Sequence, residues 1–352
     1  MHKRGMLLTG TICISVILSG CFQGEQSLEE IDPPQNAEAV DNLENISEEV
    51  NNDSEAVVAE TVPRQLFLID SNGMVAQQTL ELPAPNANEV AAQVLEYLVK
   101  GGPVTQLLPN GFQAVLPEGT EVLGLNLQED GTMIVDVSED FENYEAIDEL
   151  KILEAMTHTL TQFENVNKIK IRVNGHPLDE MPVNGTPIHD GYSRANGINI
   201  VDTDTLDLLD SRAVTMYYPA EHGENRYYVP VTQYIEFDRD NEFGSILQAL
   251  IDGPGFNTNV VHVFNPETLL ASEPVLDAGV LEIVFNEGIL KDTDQAVISD
   301  EVMETIVRTL TQQRNIDAVN VKVENVNQLV NENGEAYTEP VTTETFIPTE
   351  KL

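Results

Sequence analysis

The feature that most constrains the fold is an internal repeat, because several landmarks recur in the same order about 150 residues apart. The motif Thr-Leu-Thr-Gln at 159–162 returns at 309–312, and the strand-like run at 165–174 returns at 315–324. Two further landmarks, a glycine-led apolar run at 131–137 and a Gly-Pro pair at 102–103, return at 279–285 and 253–254. Solenoid repeats are only about 20–50 residues long. The spacing therefore predicts the duplication of a whole domain.

Each copy shows the same order of predicted elements: two strands, a helix, a hairpin, a second helix and a last strand. In the first copy, apolar spacing predicts helices over about 88–100 and about 146–163. The expected buried stripe of the second helix is Ile147, Leu150, Leu153, Met156 and Leu160. The sequence thus predicts an α+β fold, with two tandem homologous domains that each pack two helices on one face of a small mixed sheet.

The N-terminus predicts an export signal and a membrane anchor. A basic start at Lys3 and Arg4 precedes an apolar run at 6–18, as in a secretory signal peptide over residues 1–20. The ending Leu-Ser-Gly-Cys at 18–21 resembles the lipobox of bacterial lipoproteins. We therefore expect Cys21 to be the lipidated residue, and acyl chains would hold the protein on the outer face of a membrane.

The remaining boundaries follow from composition and from the repeat. Residues 21–63 are expected to be the lipidated cysteine and a disordered acidic tether, because 24–63 contains no Lys or Arg. The first domain is predicted over 64–190 and the second over 211–341. A linker over 191–210 and a C-terminal tail over 342–352 complete the predicted organisation.

The charge of the chain limits its partners. With 60 acidic and 17 basic residues, the formal net charge is -43. Such a chain repels nucleic acid, which is a polyanion, so no nucleic-acid partner is expected. Beyond the N-terminus, no stretch of about 18 apolar residues predicts a transmembrane helix.

Candidate catalytic and metal-binding residues form no recognisable motif. The five histidines after the signal peptide lack metal-ligand spacing and are expected to be isolated on the surface. Carboxylate pairs such as Asp148-Glu149 are expected to be solvated, and Asp202-Thr203-Asp204 is a poor calcium loop because Leu206 breaks it. No catalytic residue, metal site or cofactor is therefore predicted. These candidate histidines are His158, His176, His189, His222 and His262.

The repeated Thr-Leu-Thr-Gln motif has two interpretations. Its polar residues flank a leucine that should be buried, which favours a helix end hydrogen-bonded into its own domain. A binding face shared by the two copies is the alternative.

Together these motifs resemble the GerM family of sporulation and germination lipoproteins from endospore-forming Bacillales. The resemblance rests on the lipobox, on Glu-Glu-Ile-Asp-Pro-Pro-Gln at 29–35 and on the run at 108–117, which begins Leu-Pro-Asn-Gly-Phe. It also rests on Leu-Thr-Gln-Phe at 160–163 and on two helices ending at Gly-Pro. It implies paired GerMN domains similar to the ring-building modules of secretion systems. The second copy lacks the Leu-Pro-Asn-Gly-Phe pattern, so the two copies are expected to present different surfaces.

The resemblance also implies a non-enzymatic role. Such a protein would be made in the mother cell and anchored by lipid in the membrane around the forespore, facing the intermembrane space. There it would support a channel-like complex, with sporulation channel proteins as partners and with possible homo-oligomer or ring formation. A spore-cortex peptidoglycan-binding or peptidoglycan-processing protein is the alternative function, and a solute-binding lipoprotein is a third.

Overall fold

The computed structural model describes residues 61–85, 89–201, 211–255 and 258–346, and these residues belong to one compact unit. The predicted signal peptide, Cys21 and the tether as far as residue 60 lie outside the described residues, as do residues 202–210 of the predicted linker. Among the described residues, no helix is both long enough and apolar enough to cross a membrane.

Within the described residues, the first repeat consists of seven strands and two helices. Its strands are β1 (Thr61–Ile69), β2 (Val75–Pro83), β3 (Val122–Leu127), β4 (Thr132–Val137), β5 (Lys168–Val173), β6 (His176–Pro177) and β7 (Tyr192–Ser193). Its helices are α1 (Val90–Glu96) and α2 (Glu149–Leu160).

The second repeat follows the same plan, but in its described residues it has one additional hairpin and no strands corresponding to β6 and β7. Its strands are β8 (Ser211–His222), β9 (Asn225–Glu236), β10 (Val275–Asp277), β11 (Val280–Phe285), β12 (Leu290–Asp292), β13 (Val297–Ile298) and β14 (Ala318–Val323). Its helices are α3 (Glu242–Asp252) and α4 (Asp300–Leu310).

The two repeats share one sheet topology, which confirms the predicted duplication. In the first, β4 pairs antiparallel with β3 and parallel with β5; in the second, β11 pairs antiparallel with β10 and parallel with β14. A helix connects each parallel pair, as parallel strands require. The first two strands of each repeat form a separate antiparallel hairpin, β1 with β2 and β8 with β9.

Backbone conformations that most side chains avoid recur at matching positions. Gly131 and Gly279 turn into β4 and β11 with φ of 81° and 84°. Asn165 and Asn315, which precede β5 and β14, have φ of 72° and 67°. Glycine and asparagine tolerate this left-handed region better than other residues do. The duplication has therefore kept the turns that set the strand register.

Each hairpin is tied to its repeat by a threonine of the second helix. The backbone N–H of Phe67 in β1 donates to Thr159 Oγ1 at 3.1 Å, and the N–H of Tyr217 in β8 donates to Thr309 Oγ1 at 2.9 Å. Both bonds are buried, and their members are 150 residues apart in the two repeats. A two-stranded hairpin is marginally stable by itself, so packing on the helix is needed to hold it.

The predicted helices are longer than the observed ones. The predicted helix over 88–100 ends at Glu96, because the backbone of Leu98 and Lys100 bonds to Leu116 instead of continuing the helix. The predicted helix over 146–163 begins at Glu149, after a single 3₁₀ turn at Ala146–Asp148. Both helical segments are confirmed; tertiary hydrogen bonds shorten the first, and local turns shorten the second.

We call the hydrogen bond from the Phe67 N–H to Thr159, and its counterpart from Tyr217 to Thr309, the threonine clamps. The first clamp can be tested with two variants of the same helix. Thr159→Val leaves the buried Phe67 N–H without its acceptor, which should lower the free energy of unfolding by about 1–3 kcal/mol. Thr157 is also buried, but its hydroxyl has no hydrogen-bond partner among the described residues. We therefore expect Thr157→Val to be neutral or stabilising in urea unfolding. Equal destabilisation by the two variants would contradict the assigned role.

Candidate functional site

The Leu-Pro-Asn-Gly-Phe segment of the first repeat packs against the hairpin of the second. The ring of Phe112 meets the ring of Tyr227 edge-on, with centroids 4.7 Å apart. Gly111 has φ of 86°, and a Cβ atom there would overlap the ring of His222. This contact explains why the pattern occurs in one copy alone: it forms a joint between the repeats.

Asp70 connects this joint to the turn of the first hairpin. Its Oδ1 atom accepts the backbone N–H groups of Asn72 and Met74, both at 2.9 Å. Its Oδ2 atom accepts the hydroxyl of Tyr227 from the second repeat at 2.9 Å. Burial, followed by the hydrogen bond to Asp70, raises the pKa of the Tyr227 hydroxyl. The phenol is therefore held as a neutral donor.

The segment after β7 also belongs to the joint, although residues 191–210 are predicted from the sequence to be a linker. Asn199 donates from Nδ2 to the carbonyl oxygens of Val75 and Pro230, both at 2.7 Å, and its Oδ1 accepts the N–H of Val75 at 2.8 Å. Val75 lies in the first hairpin and Pro230 in the second. A single asparagine side chain thus bridges the two hairpins.

Arg194 joins the two copies of the Thr-Leu-Thr-Gln motif. Its guanidinium donates to Thr161 Oγ1 at 2.7 Å, to the carbonyl of His158 at 3.3 Å and to Gln312 Oε1 at 3.0 Å. Thr159 and Thr309 accept hydrogen bonds from the hairpins. In both copies, polar side chains of the motif are therefore hydrogen-bonded within the protein itself. These contacts support the structural interpretation of the motif over a shared binding face.

His158 is buried, so the prediction that it lies on the surface is wrong. Neither ring nitrogen has a hydrogen-bond partner among the described residues, and the ring lies 5.1 Å from that of Phe67. Burial, with repulsion from Arg194, lowers the pKa of His158 well below its usual range. The imidazole is therefore neutral at physiological pH.

Comparison of the two repeats shows what the sequence could have revealed about His158. Four residues earlier, Glu154 is also buried, and burial raises its pKa to about 7 despite a hydrogen bond from the backbone of Asn199 and the charge of Lys151. In the second repeat the same positions hold Glu304 and Arg308, whose side chains form an ion pair at 2.7 Å. Both repeats therefore place two polar residues, four positions apart, on the buried side of the second helix. This recurrence was the sequence signal that His158 is buried.

Glu149 corrects the expectation that the carboxylate pairs are solvated. Its buried carboxylate accepts hydrogen bonds from Tyr144, from the N–H of Asn184 and from both the N–H and the hydroxyl of Thr186, at 2.6–2.9 Å. Burial alone would raise the pKa of Glu149, but these donors lower it. The carboxylate braces the start of α2 against the loop at 184–186.

The second repeat makes an equivalent contact between its helix start and its loop. There the carboxylate lies in the loop, and the donors lie at the start of α4. Glu332, in the loop, accepts the hydroxyl of Ser299 at 2.9 Å and the N–H of Asp300 at 3.2 Å. The hydrogen bond from Lys291 is the largest influence that lowers the pKa of Glu332. Glu149 and Glu332 are therefore structural acids.

The remaining candidate residues do not come together. His176 and His189 are exposed, and His189 pairs with Asp179 at 2.9 Å. His262 contacts the carbonyl of Ile251 at 2.7 Å, and His222 lies at the joint described above. Among the described ranges, no group of three or more His, Cys, Asp or Glu residues could hold a metal ion. Cys21 and Asp202-Thr203-Asp204 lie outside those ranges.

The predicted apolar stripe of α2 continues beyond the core, which corrects the expectation for two of its members. Leu153, Met156 and Leu160 are fully buried, as predicted. Ile147 is 74% exposed and Leu150 is 47% exposed. Val183, beside the loop that binds Glu149, is 42% exposed. The first repeat therefore presents apolar side chains around the start of α2.

The fold and the joint define a class of protein: two copies of one α+β domain, joined through surfaces that are not equivalent. The Germane family, described as "Sporulation and spore germination", matches the chain over residues 65–179 and 215–328. The chain belongs to the Germane family.

Two relatives cover most of the chain. The spore germination protein GerM of Bacillus subtilis (strain 168) is 42% identical over 358 aligned positions, which cover 97% of each chain. The solved structure of the tandem GerMN domains of the sporulation protein GerM from Bacillus subtilis matches with a TM-score of 0.74 and 44% identity. That match covers 80% of this chain and 96% of the solved one.

The joint predicts unequal effects at two glycines. Gly111→Ala places a methyl group against His222 and also forces alanine into the left-handed region, which alone costs roughly 1–2 kcal/mol. Gly223 has φ of 64°, and nothing lies within 4 Å of the position its Cβ would take. Gly223→Ala should therefore lower the stability measured by thermal unfolding only by the cost of placing alanine in the left-handed region. Gly111→Ala should be more destabilising, and His222→Ala should relieve part of the difference.

Glu154 predicts a pH-dependent stability. Its pKa is higher in the folded protein than its ordinary value of 4.5, so the folded state binds the proton more tightly. Stability should therefore fall as pH rises from about 4.5 to about 7, by roughly 3 kcal/mol in total. Glu154→Gln should remove this loss and be the more stable protein at pH 8.

The comparison between Glu154→Gln and the parent chain controls for the other buried group. The lowered pKa of His158 acts in the opposite sense, since it costs stability as pH falls below about 6.5, but this effect is present in both proteins. Unfolding measured at pH 5 and pH 8 isolates Glu154. A difference between the two proteins that does not change with pH would contradict the assignment.

Proposed function

We propose that this chain is a membrane-anchored, non-enzymatic assembly lipoprotein required for sporulation, and hence for germination. The observation that carries the proposal is the similarity to GerM of Bacillus subtilis, which extends over 97% of both chains and over both GerMN domains of the solved structure. The relatives are named as a sporulation protein and a spore germination protein.

The arrangement of polar groups supports binding and assembly over catalysis. General acid–base catalysis uses a group with a shifted pKa that can reach a substrate. Glu154 has the shifted pKa but is buried, while Glu149 and Glu332 are occupied by structural donors. The repeated motif residues likewise hold hairpins and helices together. The chain therefore acts by presenting surfaces.

The lipobox and the acidic segment behind it support a lipid anchor, and the similarity to GerM implies the membrane and the partners that follow. Cys21 carries the lipid and holds the chain on the mother-cell-derived membrane around the forespore. Residues 22–60 separate that anchor from the folded repeats, which begin at β1 and face the intermembrane space. The partners are proteins of the channel-like complex between mother cell and forespore, and a homo-oligomer or ring is a further possible assembly.

The cysteines give a test with an internal control. A Bacillus subtilis strain lacking GerM and expressing this chain should recover heat-resistant spores. Cys21→Ala should abolish that recovery and remove the chain from the membrane fraction, because the acyl chains that hold it there are lost. Cys13→Ala, within the apolar run of the signal peptide, should leave both readouts unchanged. Full recovery with Cys21→Ala would contradict lipid anchoring.

A further inference from the structure

Asparagine followed by glycine occurs six times in the chain, each time within the described ranges. Such a pair is chemically labile, because glycine has no side chain to shield its backbone nitrogen from the asparagine side chain before it. Asparagine is accordingly among the residues that become rarer in proteins of high thermal stability. All six asparagines are exposed, so exposure does not distinguish them. The six pairs are Asn72-Gly73, Asn110-Gly111, Asn174-Gly175, Asn184-Gly185, Asn196-Gly197 and Asn333-Gly334.

The reaction open to such a pair is deamidation. The backbone nitrogen of the glycine attacks Cγ of the asparagine and closes a succinimide ring. The bond from Cγ to the amide nitrogen breaks, and that nitrogen leaves as ammonia while the glycine nitrogen gives up its proton. Water then opens the ring at either carbonyl group, which yields aspartate or isoaspartate. Because the glycine N–H must lose its proton, an N–H that is hydrogen-bonded within the protein is protected.

Five of the six glycines are protected in this way. The N–H of Gly175 donates to Asp136 Oδ1 at 2.8 Å. The other four donate at 3.0–3.1 Å to backbone carbonyl oxygens, Gly73 to Asp70, Gly185 to Met181, Gly197 to Arg194 and Gly334 to Asn331. Attack at any of these five pairs must first break a hydrogen bond that holds a turn.

Gly111 is the exception. Its N–H donates no hydrogen bond within the part of the chain that the structure describes, and the turn bond beside it runs from the N–H of Phe112 to the carbonyl of Pro109 at 3.1 Å. The side chain of Asn110 also has no hydrogen bond to the described residues. Its Cγ is therefore free to turn towards a nitrogen that has no protecting bond.

We infer that Asn110 is a modification site, at which deamidation precedes that of the other five pairs. The site lies in the joint, where Gly111 packs against His222 and Phe112 against Tyr227. Isoaspartate at 110 adds a carbon atom to the main chain before Gly111 and places a new carboxylate there. Because this moves Phe112 relative to Tyr227, the reaction weakens the joint irreversibly.

The rates of amide loss at the six pairs test the choice of Asn110. The purified full chain is incubated in mildly alkaline buffer, and peptide mass spectrometry measures the loss at each pair. The reaction needs only the chain and water, so the result does not depend on the proposed assembly function. We expect loss at Asn110 to be about fivefold faster than at any other pair, as one hydrogen bond confers. Equal rates, or faster loss at another pair, would overturn the inference.

Two controls separate the effect of the fold from that of the local sequence. In guanidinium chloride the protecting bonds are lost, so the advantage of Asn110 should disappear; an undiminished advantage would overturn the inference. In the folded chain, Asp136→Ala frees the N–H of Gly175 and should speed loss at Asn174 about fivefold. Asp136→Asn keeps a side-chain oxygen and should leave Asn174 near the parental rate. No acceleration by Asp136→Ala would contradict the protection on which the choice of Asn110 rests.

Thermal unfolding tests the effect on the joint. A chain incubated until Asn110 has reacted should unfold at a lower temperature than the fresh chain. Asn110→Asp adds the charge but keeps the ordinary main chain, so it should lower the unfolding temperature less. Asn110→Gln, whose longer side chain closes a ring less readily, should keep its unfolding temperature through the same incubation. An unchanged unfolding temperature after Asn110 has reacted, or an equal decrease in the Asn110→Gln chain, would refute the effect on the joint.

Discussion

The hydrogen bond on which each repeat depends joins a helix hydroxyl to a hairpin amide. Thr159 holds the amide of Phe67, and Thr309 holds that of Tyr217. Each hairpin is a separate two-stranded sheet, held to its repeat by packing, by this bond and by further hydrogen bonds such as those between the backbones of Ile69 and Gln113 and from the Val261 N–H to the Pro219 carbonyl. The hairpins in turn carry the joint, since Asp70, Val75 and Pro230 all lie in or beside them. The contact between repeats is therefore made by hairpins that each clamp helps to hold in place.

The two copies have diverged where they meet and where they face outwards. The first copy provides Gly111 and Phe112 and the second provides Tyr227 and His222, so the joint uses different surfaces of the two copies. Because the contact is made between two different surfaces, each copy needs the residues of only one of those surfaces. The added hairpin β12–β13 of the second copy is a second divergence.

Local patterns predicted the fold better than they predicted the environment of single residues. Apolar alternation and the 150-residue offset fixed the order of the strands and their shared topology, because both are properties of short segments. Burial of His158 depends on Phe67 and Arg194, and burial of Glu149 depends on donors about 35 residues further along the chain. Such outcomes are decided by tertiary partners that a periodic pattern does not contain.

The central claim is that the clamps and the joint make the two repeats one cooperative structure. Native-state hydrogen exchange of the amides of Phe67 and Tyr217, compared between the parent chain and the Thr159→Val variant, tests this most directly. Thr159→Val removes the clamp of the first repeat alone. The account predicts faster exchange at both amides, because loss of the first clamp weakens the joint and with it the second repeat. Faster exchange at Phe67 with unchanged exchange at Tyr217 would contradict the claim.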